Sequence, residues 1–167
     1  MMKKNLVDYF SLDSKQKEKF NYYYLANVLA CYGYICISLS TDWNGADFLA
    51  QHYKSGEILK IQLKSRLTID KKYKDPKLYM AFPLHGTQEW VIIKHCELIK
   101  TISDHCPHYL ESKSWRDKGT YSNDAPKKEL CNVLKKYAWI SQRHEMKKIG
   151  SRRKKITSLK ETSFKQA

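Results

Sequence analysis

The chain has 167 residues, 42% of them hydrophobic, enough for one ordinary domain with a real core. A net charge of +14 points to polyanionic partners, nucleic acid ahead of an anionic membrane surface. No apolar run approaches the roughly 18 residues of a membrane span, and MMKKNLVDYFSLD carries a lysine pair with no apolar segment behind it, so a cytoplasmic protein without a secretory signal is expected.

Residues 14 to 32 predict a helix. Ser14 can cap it, and Leu25, Val28, Leu29 and Tyr32 recur at i, i+3, i+4 and i+7 as a buried stripe. Gly33 ends it. Tyr34 to Leu39 reads as a strand, Thr41 to Gly45 as a turn, and Ala46 to His52 as a second strand. A turn over Lys54 to Glu57 leads to a third strand, Ile58 to Arg66. A basic loop, Lys71 to Lys74, precedes two further strands, Leu78 to Pro83 and Trp90 to Lys94. Cys96 to Ile102 predicts a short helix, and residues 104 to 124 read as loop. Pro126 suits the first turn of a last helix with Leu130, Val133, Leu134 and Tyr137 on one face. The domain is expected over 1–142, and 143–167 is expected as a basic tail. That tail holds nine of the 31 Lys/Arg and two of the 17 Asp/Glu, hence +7 of the net +14. The five cysteines, an odd number without CxxC spacing, read as reduced thiols.

Alternation assigns faces in the hairpin. Leu59, Ile61 and Leu63 share a core face, while Ile58, Lys60, Gln62, Lys64 and Arg66 share the opposite one. On the preceding strand Asp47, Leu49 and Gln51 lie opposite to Ala46, Phe48 and Ala50. Pairing through the tight turn can bring Asp47 onto the face of Gln62 and Lys64. Hydrolysis of a phosphodiester needs a hard cation to neutralise phosphate charge and acidify a water. Mg²⁺ takes oxygen ligands, usually one or two carboxylates with water. Asp47 offers a carboxylate, Gln62 an amide oxygen, and Lys64 an ammonium to orient the water or stabilise charge on phosphorus.

Asp47, a turn, then Gln62-Leu63-Lys64 on the next strand resembles the core of the PD-(D/E)xK nuclease superfamily. The resemblance spans roughly residues 14 to 100. It implies an α/β, restriction-endonuclease-like fold: a mixed central sheet with a catalytic β-hairpin, flanked by helices. It further implies a Mg²⁺-dependent DNA endonuclease (Mn²⁺ able to substitute) acting as a homodimer. The chain is most similar to Holliday-junction-resolvase-like and small restriction-like members, which carry another acid on the first helix; Glu18 matches that position. Two positions depart from the pattern. Ala46 stands where proline is common, and Gln62 stands where an acid is usual. The uncharged amide weakens metal binding and raises the demand for another carboxylate, Glu18 first and Asp42 second.

Phosphate contacts are expected from Arg66, Lys71 and Lys72 and from the tail residues Arg152, Arg153, Lys154 and Lys155. Trp115 with Arg116, an aromatic among basic residues, is expected to touch nucleic acid. Two rival readings remain: a nucleic-acid-binding protein on the same fold with a degenerate metal site, and an accessory protein whose charge only aids solubility.

Overall fold

The computed structural model describes residues 5–140, apart from the side chain of Asp42. The expected tail, with Arg152, Arg153, Lys154 and Lys155, lies outside the described residues.

Helix α1 spans Ser14–Ala30. Its cap is Asp13, one residue earlier than expected: the Asp13 carboxylate accepts the Gln16 N–H while the Gln16 side chain accepts the Asp13 N–H. This reciprocal box satisfies donors that Ser14 alone would leave open. Asn21, Leu25, Val28 and Leu29 are buried, whereas Tyr32, expected in the stripe, is 43% exposed because the helix has already ended.

Strand β1 covers Tyr34–Trp43, β2 Ala46–His52 and β3 Ile58–Leu63. The β1–β2 turn is only Asn44-Gly45, with φ of +55° and +88°. Both central residues at positive φ suit the twist of a hairpin, and Asn-Gly tolerates it best. Gly45 also has no room for a side chain, since a Cβ there would sit 2.8 Å from the Tyr73 ring. Strand β3 ends at Leu63, not at Arg66, and the chain bends into β4, Leu67–Asp70.

Strand β5 is Leu78–Pro83 and β6 Trp90–Lys94. Helix α2 follows at His95–His105. Residues 104 to 124 are not loop throughout. They hold helix α3, Lys113–Lys118, and strand β7, Thr120–Asn123, which pairs antiparallel with β4 in a separate two-stranded sheet. Helix α4, Lys128–Leu134, and the short β8, Ala138–Trp139, complete the described fold.

The main sheet has six strands in the order β1-β2-β3-β5-β6-β8. All neighbours are antiparallel except β3 and β5. The chain is therefore mixed α/β, a mostly antiparallel sheet flanked by helices. One face packs Phe48, Leu59, Ile61 and Leu63 against Leu25, Val28 and Leu29 of α1. The other packs Met80, Phe82, Val91 and Ile93 against Leu98 and Ile102 of α2 and Leu130 and Leu134 of α4. Each such side chain contributes about 1.5–3 kcal/mol on burial. Helices α2 and α4 cover the β5–β6 end of that second face, and Ile35, Ile37 and Ile58 remain exposed at the other end. None of the five cysteines forms a disulfide; Cys106 and Cys131 are buried and Cys96 is exposed. Among the described residues no helix is long and apolar enough to cross a membrane.

His95 ties the two sheets together. It is 3% exposed at the start of α2, and its Nε2 accepts the Asp70 N–H at 3.3 Å. Burial holds its pKa below the ordinary 6.5, against smaller opposing effects of Tyr73 and Asp70. The folded chain thus resists a proton that the unfolded chain accepts. Stability from this group is complete above about pH 6.5 and is lost as pH falls from there through the lower folded value. Melting temperatures between pH 8 and pH 5 are expected to fall less steeply in His95→Gln than in the wild type. Parallel curves would remove His95 from the account.

Candidate functional site at the hairpin fork

The β2–β3 ladder pairs Gln51 with Ile58 at one end and Phe48 with Ile61 at the other, and stops there. Asp47 and Gln62 stand one residue beyond the last pair. Twist separates the strands at this point, and β3 turns to its other neighbour: the Lys64 N–H donates to the Ala81 carbonyl at 2.8 Å. Where a ladder carbonyl would continue the pairing, the Asp47 carboxylate takes its place. Its Oδ2 accepts the Leu63 N–H at 2.7 Å and the Gln62 side-chain Nε2–H at 2.5 Å. A carboxylate at neutral pH only accepts, so Gln62 must present its NH₂ here and turn its carbonyl oxygen elsewhere. The Gln62 NH₂ also lies 3.4 Å from the Leu63 carbonyl. Gln62 is buried, at 5% exposure, rather than part of a solvated row. The row is not uniformly available either: Lys60 is committed to Asp75 at 2.8 Å.

Glu18, exposed on the second turn of α1, borders two openings. One, of about 150 Å³, contains Asp47, Phe48 and Leu63. The other, of about 260 Å³, contains Lys64, Ser65 and Asn21. Leu63 lines both. Alternation predicts the meeting of Asp47 and Gln62, which the structure shows, while Glu18 shares one opening with Asp47 and the other with Lys64. No group of three His, Cys, Asp or Glu side chains is placed to hold a metal among the described residues. The possible ligand atoms at the fork are oxygens, the carboxylates of Asp47 and Glu18 and the Leu63 carbonyl, and Gln62 adds another only when its amide turns to present the oxygen in place of the NH₂. That set suits Mg²⁺, which keeps several waters, and does not suit zinc. Asp42 contributes nothing to this description, its side chain lying outside it.

Lys64 is half-buried, and its Nζ lies 5.8 Å from the centre of the Tyr73 ring. Lys72 sits on the same ring at 5.0 Å. Tyr73 is buried, so it braces both Lys64 and the Gly45 turn that starts β2. Arg66 is exposed between β3 and β4, and Lys71 and Lys72 are exposed just past β4. Pairing of β4 with β7 carries Lys71 to α3, where its Nζ lies 5.1 Å from the Trp115 ring centre. Trp115 is half-buried on α3 rather than in an open loop, and Arg116 beside it is exposed. Two basic segments far apart in sequence thus meet on one surface.

Alternation identified the Asp47–Gln62 meeting but not its donor and acceptor roles, nor the Leu63 N–H that anchors the carboxylate. No side chain signals that N–H; it becomes available because the ladder ends. No family model, curated protein or solved structure matches the chain.

Proposed function

We propose that this chain is a Mg²⁺-dependent endonuclease that hydrolyses phosphodiester bonds in DNA, on a restriction-endonuclease-like fold, with Mn²⁺ able to substitute. The observation that carries the reading is the fork: Asp47 fixed by Leu63 and Gln62 at the point where β2 and β3 part, with Glu18 bordering both the opening that holds Asp47 and the neighbouring one that holds Lys64. The parallel β3–β5 pair beside an antiparallel hairpin, with α1 on one face, also suits that fold.

In this reading Asp47 and Glu18 would hold the cation, joined by Gln62 once its amide turns over to present the oxygen. The bound metal supplies charge neutralisation at the phosphate and a more acidic water. Asp47 keeps its orientation through the Leu63 N–H. Lys64, braced by Tyr73, aims its ammonium at the water or at the phosphoryl oxygens as charge grows there. Arg66, Lys71, Lys72 and Arg116 meet neighbouring phosphates, which position the strand without reading its sequence. Two copies, one per strand, complete a double-strand cut.

Supercoiled plasmid with Mg²⁺ or Mn²⁺ tests this directly. Nicking or linearisation is expected, and EDTA is expected to stop it. A second reading has one observation in its favour: Gln62 turns its NH₂, not its oxygen, toward Asp47. Intact plasmid together with a salt-sensitive gel shift would select that reading, a DNA-binding protein without chemistry.

A further inference from the structure

On the far side of α1 from Asp47 lies an open cleft of about 520 Å³, within the range of small-molecule sites. Its walls are aromatic: Tyr9, Phe20, Tyr24 and Trp90, with Asn21 and Gln88. Three of the rings form a row. Phe20 and Tyr24 lie 6.4 Å apart with planes 24° from parallel, and Tyr24 and Trp90 lie 6.2 Å apart at 32°. Tyr9 stands beside Phe20 at 5.2 Å. The outer end of the row is open, since Phe20 is 49% exposed.

The sequence reasons for this cleft are local. Phe20 and Tyr24 are four apart on α1 and so lie on one helix face. A short helical turn, Tyr9–Ser11, folds back so that the Tyr9 hydroxyl bonds the Asn21 side chain at 3.1 Å. Trp90 begins β6 and comes up from the sheet beneath.

Asn21 links the cleft to the candidate site, for it also lines the groove that holds Lys17, Glu18 and Lys64. A strand with a phosphate at Lys64 would pass Asn21 before reaching the aromatic row. We propose that the cleft receives an unpaired nucleobase of the bound nucleic acid, stacked on the Phe20–Tyr24–Trp90 row. This rests on the nucleic-acid reading above and adds a preference to it: a substrate with an unpaired or flipped base next to the bond at the hairpin fork. Stacking on aromatic rings accepts any base, so the cleft selects strand structure rather than sequence.

The test uses the full chain with Ca²⁺ replacing Mg²⁺. A blunt duplex is compared with the same duplex carrying a short unpaired flank that contains 2-aminopurine. The flanked form is expected to bind about tenfold tighter, with its fluorescence quenched on binding. Phe20→Ala and Tyr24→Leu are each expected to remove that advantage and the quenching, with blunt-duplex affinity within about twofold of wild type. Equal wild-type affinity for both forms without quenching overturns the cleft proposal. So does an equal loss on both forms in the two variants together with lowered melting temperatures, which would mark a packing role. Flank-dependent binding and quenching without any plasmid cleavage would uphold the cleft and overturn the nuclease. Cleavage with no flank dependence would do the reverse, and no nucleic-acid binding would overturn both.

Discussion

Asp47→Asn is expected to stop metal-dependent plasmid cleavage while leaving the fold almost unchanged. Both donors at this position, the Leu63 N–H and the Gln62 NH₂, converge on one oxygen, Oδ2. An asparagine that places its carbonyl oxygen there still accepts both bonds. What disappears is the charge, and with it the strongest metal ligand of the proposed site. Lys64→Ala is expected to lower the rate by about 10²–10³-fold, the usual cost of one group aimed at developing charge. It should leave duplex affinity nearly intact, because Arg66, Lys71, Lys72 and Arg116 still meet the backbone. The measurement is a single-turnover cleavage rate for each variant beside its melting curve. Wild-type rates in both variants would remove the fork from the mechanism. A loss of rate that tracks a large drop in melting temperature would mean that Asp47 is structural only.

The elements legible in the sequence are those written locally. Ala46–His52, Leu78–Pro83 and Trp90–Lys94 have the bounds expected, because alternation and flanking turn residues define each without outside help. The same alternation puts Asp47 and Gln62 on one side, and they do meet. What escaped reading depends on partners distant along the chain. Nothing near Thr120–Asn123 marks it as a strand; its partner is Leu67–Asp70, and each is too short to be recognised by itself. The same pairing explains why β3 stops at Leu63. Leu67 and Ile69 keep the period of Leu59, Ile61 and Leu63 across Ser65, although they belong to another sheet. Asp13 and Ser14 are both good caps, and the choice between them is made by Gln16 three residues past Asp13. Trp115 looked like a loop aromatic because Ser112 and Gly119 look like loop residues. They are in fact the cap at each end of α3, with Gly119 at φ +72°.

Gln62→Glu is expected to act in opposite directions with and without metal. In the metal-free protein the substitution sets a second carboxylate where an NH₂ now donates at 2.5 Å, in a site only 5% exposed. The hydrogen bond to a charged acceptor is lost, about 1.5–3 kcal/mol. Two carboxylates at such a distance, one buried and one half-buried, also repel until they share a proton, which raises the pKa of one of them. The fork is therefore weakened at neutral pH and regains stability as pH falls and that proton binds. For a chain of this length each kcal/mol lost lowers the melting temperature by about 2–4 °C. Added Mg²⁺ is expected to reverse the order, since three carboxylates form a better oxygen cage than two with an amide. The stabilisation by metal grows with the ratio of its concentration to Kd, so a tenfold tighter site adds about 1.4 kcal/mol at saturating metal. Melting curves of wild type and Gln62→Glu, each with EDTA and with Mg²⁺, decide the matter. A lower melting point in EDTA and a larger rise with Mg²⁺ are the expected pair. A lower melting point with no response to Mg²⁺ in either protein would make the Gln62–Asp47 bond a structural clasp and the fork a place where no metal binds.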